Sequence, residues 1–116
     1  MIMKSLSIFF PAYNEEKNIE KSVLGAIEWL QKMNIVWEIL IINDGSTDGT
    51  GKIAEKLAIK YSQVKVINQQ NGGYGMAIRT GLKNAKYEWI AYTDVDGQFK
   101  FSDISNFFPL CNNADA

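Results

Sequence analysis

The 116-residue chain contains no histidine and a single cysteine, Cys111. Without histidine, Ser-His-Asp and Cys-His catalysis are excluded, as is any His-ligated zinc or haem centre. One cysteine excludes an intrachain disulfide and every Cys-rich metal cluster. Acid–base work and metal binding therefore fall mainly to carboxylates, which favour hard cations such as Mg²⁺, Mn²⁺ or Ca²⁺. An excess of either charge is also lacking. With 12 Lys plus Arg against 13 Asp plus Glu, the net charge is −1, and no global field favours a nucleic-acid partner. No apolar run approaches the roughly 18 residues needed to cross a bilayer. The first apolar run, residues 6–10, stops at Pro11 without a small-residue cleavage site. These absences suggest a reduced, cytoplasmic setting. What is present, 47% hydrophobic and 22% charged residues, is ordinary for one globular domain with a real core.

Four short runs rich in β-branched or aromatic residues recur at 6–10, 36–42, 64–67 and 89–93. Their length and composition suit buried strands. Helical periodicity fills the gaps. Ile19, Val23, Ile27 and Leu30 share one face, Ile53 and Leu57 mark a second helix, and Ile78, Leu82 and Ala85 a third. A fourth helix is expected over Ile104, Phe107, Phe108 and Cys111, after a Ser102 N-cap. The resulting βαβαβαβα order predicts an α/β fold with a parallel sheet and helices on both faces. In such a sheet ligands bind beyond the carboxyl ends of the strands. All four polar clusters of the chain fall there: Pro11–Glu16, Asn43–Thr50, Asn71–Gly75 and Asp94–Gln98.

Asp94-Val95-Asp96 closes an apolar strand, so residues i and i+2 emerge on the same side. With Gln98 they could hold a hard cation and leave positions for phosphate oxygens and water. The alternative is a turn built on Gly97 with aspartate caps. Asp44, Ser46, Asp48, Gly49 and Glu55 match much of a calcium-loop spacing, but a buried strand precedes them where that loop requires a helix. They read better as a strand-to-helix turn in which Asp44 accepts from a base or ribose and Ser46 or Asp48 caps the helix. On that reading the loss of Asp44 weakens binding and leaves stability unchanged. Gly73-Tyr74-Gly75 partly matches a dinucleotide fingerprint, but Ile78 stands where Gly or Ala is needed. A loop and helix N-terminus meeting a diphosphate is simpler. Arg79, the only arginine, lies one turn further on. Asn14 reads as an N-cap with Glu15 and Glu16 behind it, and Tyr13 as an aromatic able to stack on a base.

Pro11-Ala12-Tyr13-Asn14-Glu15-Glu16, Asn43-Asp44-Gly45-Ser46-Thr47-Asp48-Gly49-Thr50, Gly75-Met76-Ala77-Ile78-Arg79-Thr80-Gly81-Leu82 and Asp94-Val95-Asp96-Gly97-Gln98 together resemble family 2 glycosyltransferases. The likeness is to the dolichol-phosphate mannose synthase and polyprenyl-phosphate glycosyltransferase branch. It implies the GT-A (Rossmann-like) nucleotide-diphospho-sugar fold and an inverting transfer. By the same resemblance Pro11, Ala12, Tyr13, Glu15, Asp44, Ser46, Gly75, Arg79 and Asp94 bind the nucleotide-sugar. Asp94 and Asp96 would be catalytic, and with Gln98 they would hold Mg²⁺ or Mn²⁺. The partners implied are a nucleotide-diphospho-sugar donor and a lipid-phosphate acceptor, met at the inner face of a membrane. Residues 1–116 would then be the donor-binding part of one GT-A domain of about four βα units, incomplete at its C-terminus. Isolated, it is expected to self-associate. Two other classes compete: a sugar nucleotidyltransferase, whose Gly- and Arg-rich first loop is replaced here by Pro-Ala-Tyr-Asn-Glu, and a non-catalytic nucleotide-binding module.

Overall fold

The computed structural model describes residues 3–96 and 106–109. Strand β1 (Ser5–Ala12) is buried on both faces, and so are seven of its eight residues. Leu6, Ile8 and Phe10 point to one side and Phe9 to the other, as the period-2 geometry of a strand demands. Its neighbour β2 (Val36–Asp44) is buried over eight of nine residues. Parallel strands covered on both faces read as continuous apolar runs for this reason. Beyond them lie β3 (Val64–Gln69), β4 (Trp89–Tyr92) and β5 (Asn106–Pro109), in the order β3-β2-β1-β4-β5.

Helices α1 (Ile19–Gln31) and α2 (Thr50–Lys60) cover one face with α1 residues Ile19, Val23, Ala26, Ile27 and Leu30 and α2 residues Ala54 and Leu57. Helix α3 (Tyr74–Asn84) covers the other, where Phe9, Leu40, Ile42 and Ile90 meet Ala77. The face of α3 turned to the sheet is made of small residues, Ala77 and Gly81, with Ile78 and Leu82 half-buried beside them. A Cβ at Gly81 would overlap the Phe9 ring, so glycine there sets how closely α3 approaches. Each fully buried side chain of this size contributes roughly 2–3 kcal/mol.

The sequence expectation of a parallel α/β sheet holds for β1 to β4, all joined in parallel. The expected fourth helix does not hold. Asn106–Pro109 forms β5, antiparallel to β4 with Trp89 opposite Pro109 and Tyr92 opposite Asn106. Pro109 lacks an N–H and biases the preceding residue away from helix, and the open edge of β4 offers the short run a partner. Ser102, Ile104 and Cys111 lie outside the described residues.

The chain runs β1-β2-β3 to one side and then crosses by α3 to β4 on the other side of β1. The crossover lies on the opposite face from α1 and α2. This is a topological switch point, where strand order reverses and a crevice opens at the carboxyl ends.

Candidate functional site

A cavity of about 480 Å³ occupies that crevice. Pro11, Ala12, Tyr13 and Glu15 enter from the end of β1, Asp44 from β2, and Asp94 and Val95 from the end of β4. Asn71, Gly73, Tyr74 and Ala77 close it from the start of α3. Of the residues expected from sequence, Pro11, Ala12, Tyr13, Glu15, Asp44 and Asp94 therefore share one wall. Ser46, Gly75, Arg79 and Asp96 are not part of the lining, and Gln98 lies outside the described residues. Arg79 is exposed on α3, because the helical period that turns Ala77 and Gly81 inward turns position 79 out. Asn71, Gly73 and Tyr74 belong to the loop that the sequence placed at the ligand end of the sheet, although none of them was given a binding role by its side chain, and neither were Ala77 and Val95.

Two loops lock together beneath Tyr13. Asn14, with φ of 52°, accepts at Oδ1 from the amides of Thr47 at 2.8 Å and Asp48 at 3.3 Å. Its own amide donates to Ser46 Oγ at 3.0 Å, and the Glu15 amide donates to Thr50 Oγ1 at 2.8 Å. Asn14 is therefore a staple between loops rather than the N-cap of α1, which starts four residues after Glu15 at Ile19. The capping of α2 differs as well. Neither Ser46 nor Asp48 is its N-cap, which is Gly49 without a side-chain cap bond: Asp48 Oδ1 accepts from the Thr50 amide at 2.9 Å just ahead of the helix, and Ser46 Oγ is committed to Asn14. The segment runs from β2 into α2, so it lacks the leading helix of a calcium loop.

Asp44 has a second duty. It is buried, and its Oδ1 accepts from Gln69 Nε2 at 2.9 Å and from the Gly72 amide at 2.8 Å. Its Oδ2 accepts from the Gly73 amide at 2.9 Å, leaving that oxygen a further lone pair. Gly45, with φ of 71°, lets Asn71 come close: a Cβ there would stand 2.6 Å from Asn71 N. The loop before α3 is thus hung on the end of β2. The first intrahelical bond of α3 is donated by Ala77 to Gly73, so the amides of Tyr74, Gly75 and Met76 precede it in the first turn of the helix.

Electrostatics gather at the same mouth. Glu15 is half-buried, and desolvation first, then the charges of Asp48, Asp94 and Asp96, hold its carboxyl above the usual range, against the opposing hydrogen bond of Asn18. Asp48 is pushed down: desolvation acts against the shift, but the Thr50 hydroxyl and amide and the Glu16 amide outweigh it. Desolvation and the bond to Asp94 push the Tyr74 phenol up to about 12, so it stays a donor.

Asp94 and Asp96 are both exposed, on either side of the buried Val95. The two exposed carboxylates offer hard oxygen donors and negative charge beside Glu15, and in donor type and charge they fit a divalent cation. Among the described residues, no three acidic, Cys or His side chains come together as a complete cage. A cation there would need further oxygens from a ligand or from water.

Comparison with known proteins gives the family and the fold. The model of "Glycosyl transferase family 2" matches residues 7–116. The human dolichyl-phosphate beta-glucosyltransferase is 38% identical over 109 residues, covering 87% of this chain and 34% of the relative. The chain thus spans about a third of the length of the curated relatives it matches. Residues 1–349 of TarS from S. aureus, solved with UDP-GlcNAc, align at a TM-score of 0.65 and 33% identity over 79% of this chain and 26% of that one. Glucosyl-3-phosphoglycerate synthase from Mycobacterium tuberculosis, solved with Mg²⁺ and UDP, aligns at 0.62 and 25% identity over 80% of this chain and 34% of that one. The fold is that of GT-A glycosyltransferases.

Proposed function

Because this chain belongs to glycosyl transferase family 2, we propose that its cavity is the donor site of an inverting transfer from a nucleotide-diphospho-sugar to a polyprenyl phosphate. One observation carries the reading. Segments far apart in sequence, ending β1, β2 and β4 and opening α3, converge on a single cavity at the switch point of the sheet. Tyr13, 47% exposed on its rim, is placed to stack on a base, and the remaining lone pair of Asp44 to accept from the base or ribose. The first turn of α3 supplies amides and dipole to the diphosphate.

Asp94 and Asp96, with Gln98, would hold Mg²⁺ or Mn²⁺. Such an ion, when bound, neutralises the charge that grows on the leaving diphosphate. The carboxylates keep that charge balance at the mouth of the cavity, and Pro11, Ala12 and Val95 exclude water from its floor. In the displacement an acceptor oxygen forms a bond to the anomeric carbon on the face opposite the diphosphate, whose bond to that carbon breaks. A phosphate acceptor brings an oxygen that is already ionised, so no proton need be removed from the nucleophile. The dolichyl-phosphate relatives support this acceptor class, and action at the inner face of a membrane is part of the same proposal. No helix among the described residues is long and apolar enough to cross a membrane.

Calorimetric titration with UDP-glucose, UDP-GlcNAc and GDP-mannose in Mn²⁺ tests the reading. Saturable 1:1 binding of at least one of them is expected. Absence of binding across the panel would contradict it.

A further inference from the structure

The two exposed aspartates are held from opposite faces of the sheet by residues of two different helices. On the α3 side, the Tyr74 hydroxyl donates to Asp94 Oδ1 at 2.8 Å. On the α1 side, Ser22 Oγ accepts from the Asp96 amide at 3.3 Å. We propose that Tyr74 and Ser22 are positioning residues for this carboxylate pair. Tyr74 fixes the side chain of Asp94, and Ser22 fixes the backbone of Asp96. This inference rests on the donor-site reading and deepens it.

Neither residue is explained by packing. Tyr74 is 56% exposed, so its ring adds little to the core, yet it opens a helix whose preceding loop is tied to Asp44 through Gly72 and Gly73. That tie fixes where the phenol stands. Asp94 would otherwise sample several rotamers, as exposed carboxylates do. The bond to Oδ1 restricts it while leaving Oδ2 for a cation. The end of the cavity assigned to the base and the end assigned to the cation are thereby joined through one loop, Asp44 to Gly73 to Tyr74 to Asp94.

Ser22 is fully buried on α1 beside Val23 and Ala26. Alanine would fill that position with higher helix propensity and no polar atom to satisfy. The hydroxyl instead meets the Asp96 amide across 74 residues of sequence. Val95 packs into the α1-side core between the two tethers, so Asp94 and Asp96 leave the sheet edge from a segment held at three successive residues.

The test compares wild type with Tyr74→Phe and Ser22→Ala. Calorimetry with UDP and with GDP, in Mn²⁺ and in EDTA, gives the ratio of affinities with and without metal. Tyr74→Phe is expected to lower that ratio about tenfold, the worth of one hydrogen bond to a charged group, and Ser22→Ala to lower it about fivefold, the worth of a neutral one. Tyr74→Phe added to Asp94→Asn is expected to lower it no further, since the phenol acts only through that carboxylate. Thermal melting of Tyr74→Phe close to that of wild type, expected for an exposed hydroxyl, keeps this variant decisive even if Ser22→Ala loses stability. An undiminished ratio in Tyr74→Phe would overturn the inference while leaving the donor site intact. A wild type that binds the nucleotides equally in Mn²⁺ and in EDTA would overturn the cation part of the donor-site reading and this inference with it, and one that binds neither nucleotide would overturn the donor site itself.

Discussion

Asp44 accepts three hydrogen bonds from residues 25 to 29 positions away, so its carboxylate belongs to the fold as well as to the cavity wall. Asp44→Ala should therefore lower unfolding stability by about 3 kcal/mol, because three hydrogen bonds to a buried carboxylate are lost together. Urea unfolding measures this, and an unchanged midpoint would contradict it. The sequence expectation of unchanged stability was drawn without these partners, for a physical reason. The position of Asp44 at a strand mouth is local and legible, whereas its partners arrive only after α2 and β3 have brought the 70–73 loop back. Tyr13, Glu15 and Asp94 were legible because strand ends are. Arg79 was not, since its outward direction depends on which face of α3 meets Phe9. Asn14 and Ser46 likewise carry a bond to each other that neither short motif announces.

Among the elements, β1 to β4 could be read from apolar runs because a parallel sheet buried on both faces leaves few polar positions. Glu38 is the exception inside one of those runs. It is 2% exposed, and its Oε2 accepts from Ser7 Oγ at 2.7 Å and from the Lys86 amide at 3.0 Å. Lys65 Nζ lies 3.6 Å from Oε1, and the Tyr87 amide donates to Ser7 Oγ at 3.1 Å. One carboxylate thus pins the α3–β4 connection and the edge strand β3 to the centre of the sheet, at the end opposite the cavity. Glu38→Ala should destabilise by about 2–3 kcal/mol, since it leaves the buried Ser7 hydroxyl and the Lys86 amide without their acceptor, while half-exposed Lys65 turns to water. Chemical denaturation measures the loss, and a change below 1 kcal/mol would show that the network is dispensable. No periodicity reveals such a group; it becomes visible only once Ser7, Lys86 and Lys65 are in one place. The antiparallel β5 was hidden in the same way. A short run containing Phe107 and Phe108 fits helix or strand, and the edge of β4 decides between them.

At the scale of the molecule, the four motif clusters made the fold class and the family legible because one follows each of β1, β2, β3 and β4 at its carboxyl end. The outermost strand among the described residues on the α2 side, β3, carries half-buried Val66 and Ile67 along an open edge. Such edges pair, so the isolated 13.1 kDa chain is expected to associate as its concentration rises. Light scattering that gives one chain mass throughout a concentration series would refute this. The central claim is that Asp94 and Asp96 serve a cation shared with a donor diphosphate. Its most direct test is the affinity of the chain for a nucleoside diphosphate, measured by calorimetry in Mn²⁺ and in EDTA, for wild type and Asp96→Asn. The account predicts tighter binding in Mn²⁺ for wild type and a sharp loss of that gain in the variant. Equal wild-type binding in Mn²⁺ and in EDTA would contradict it.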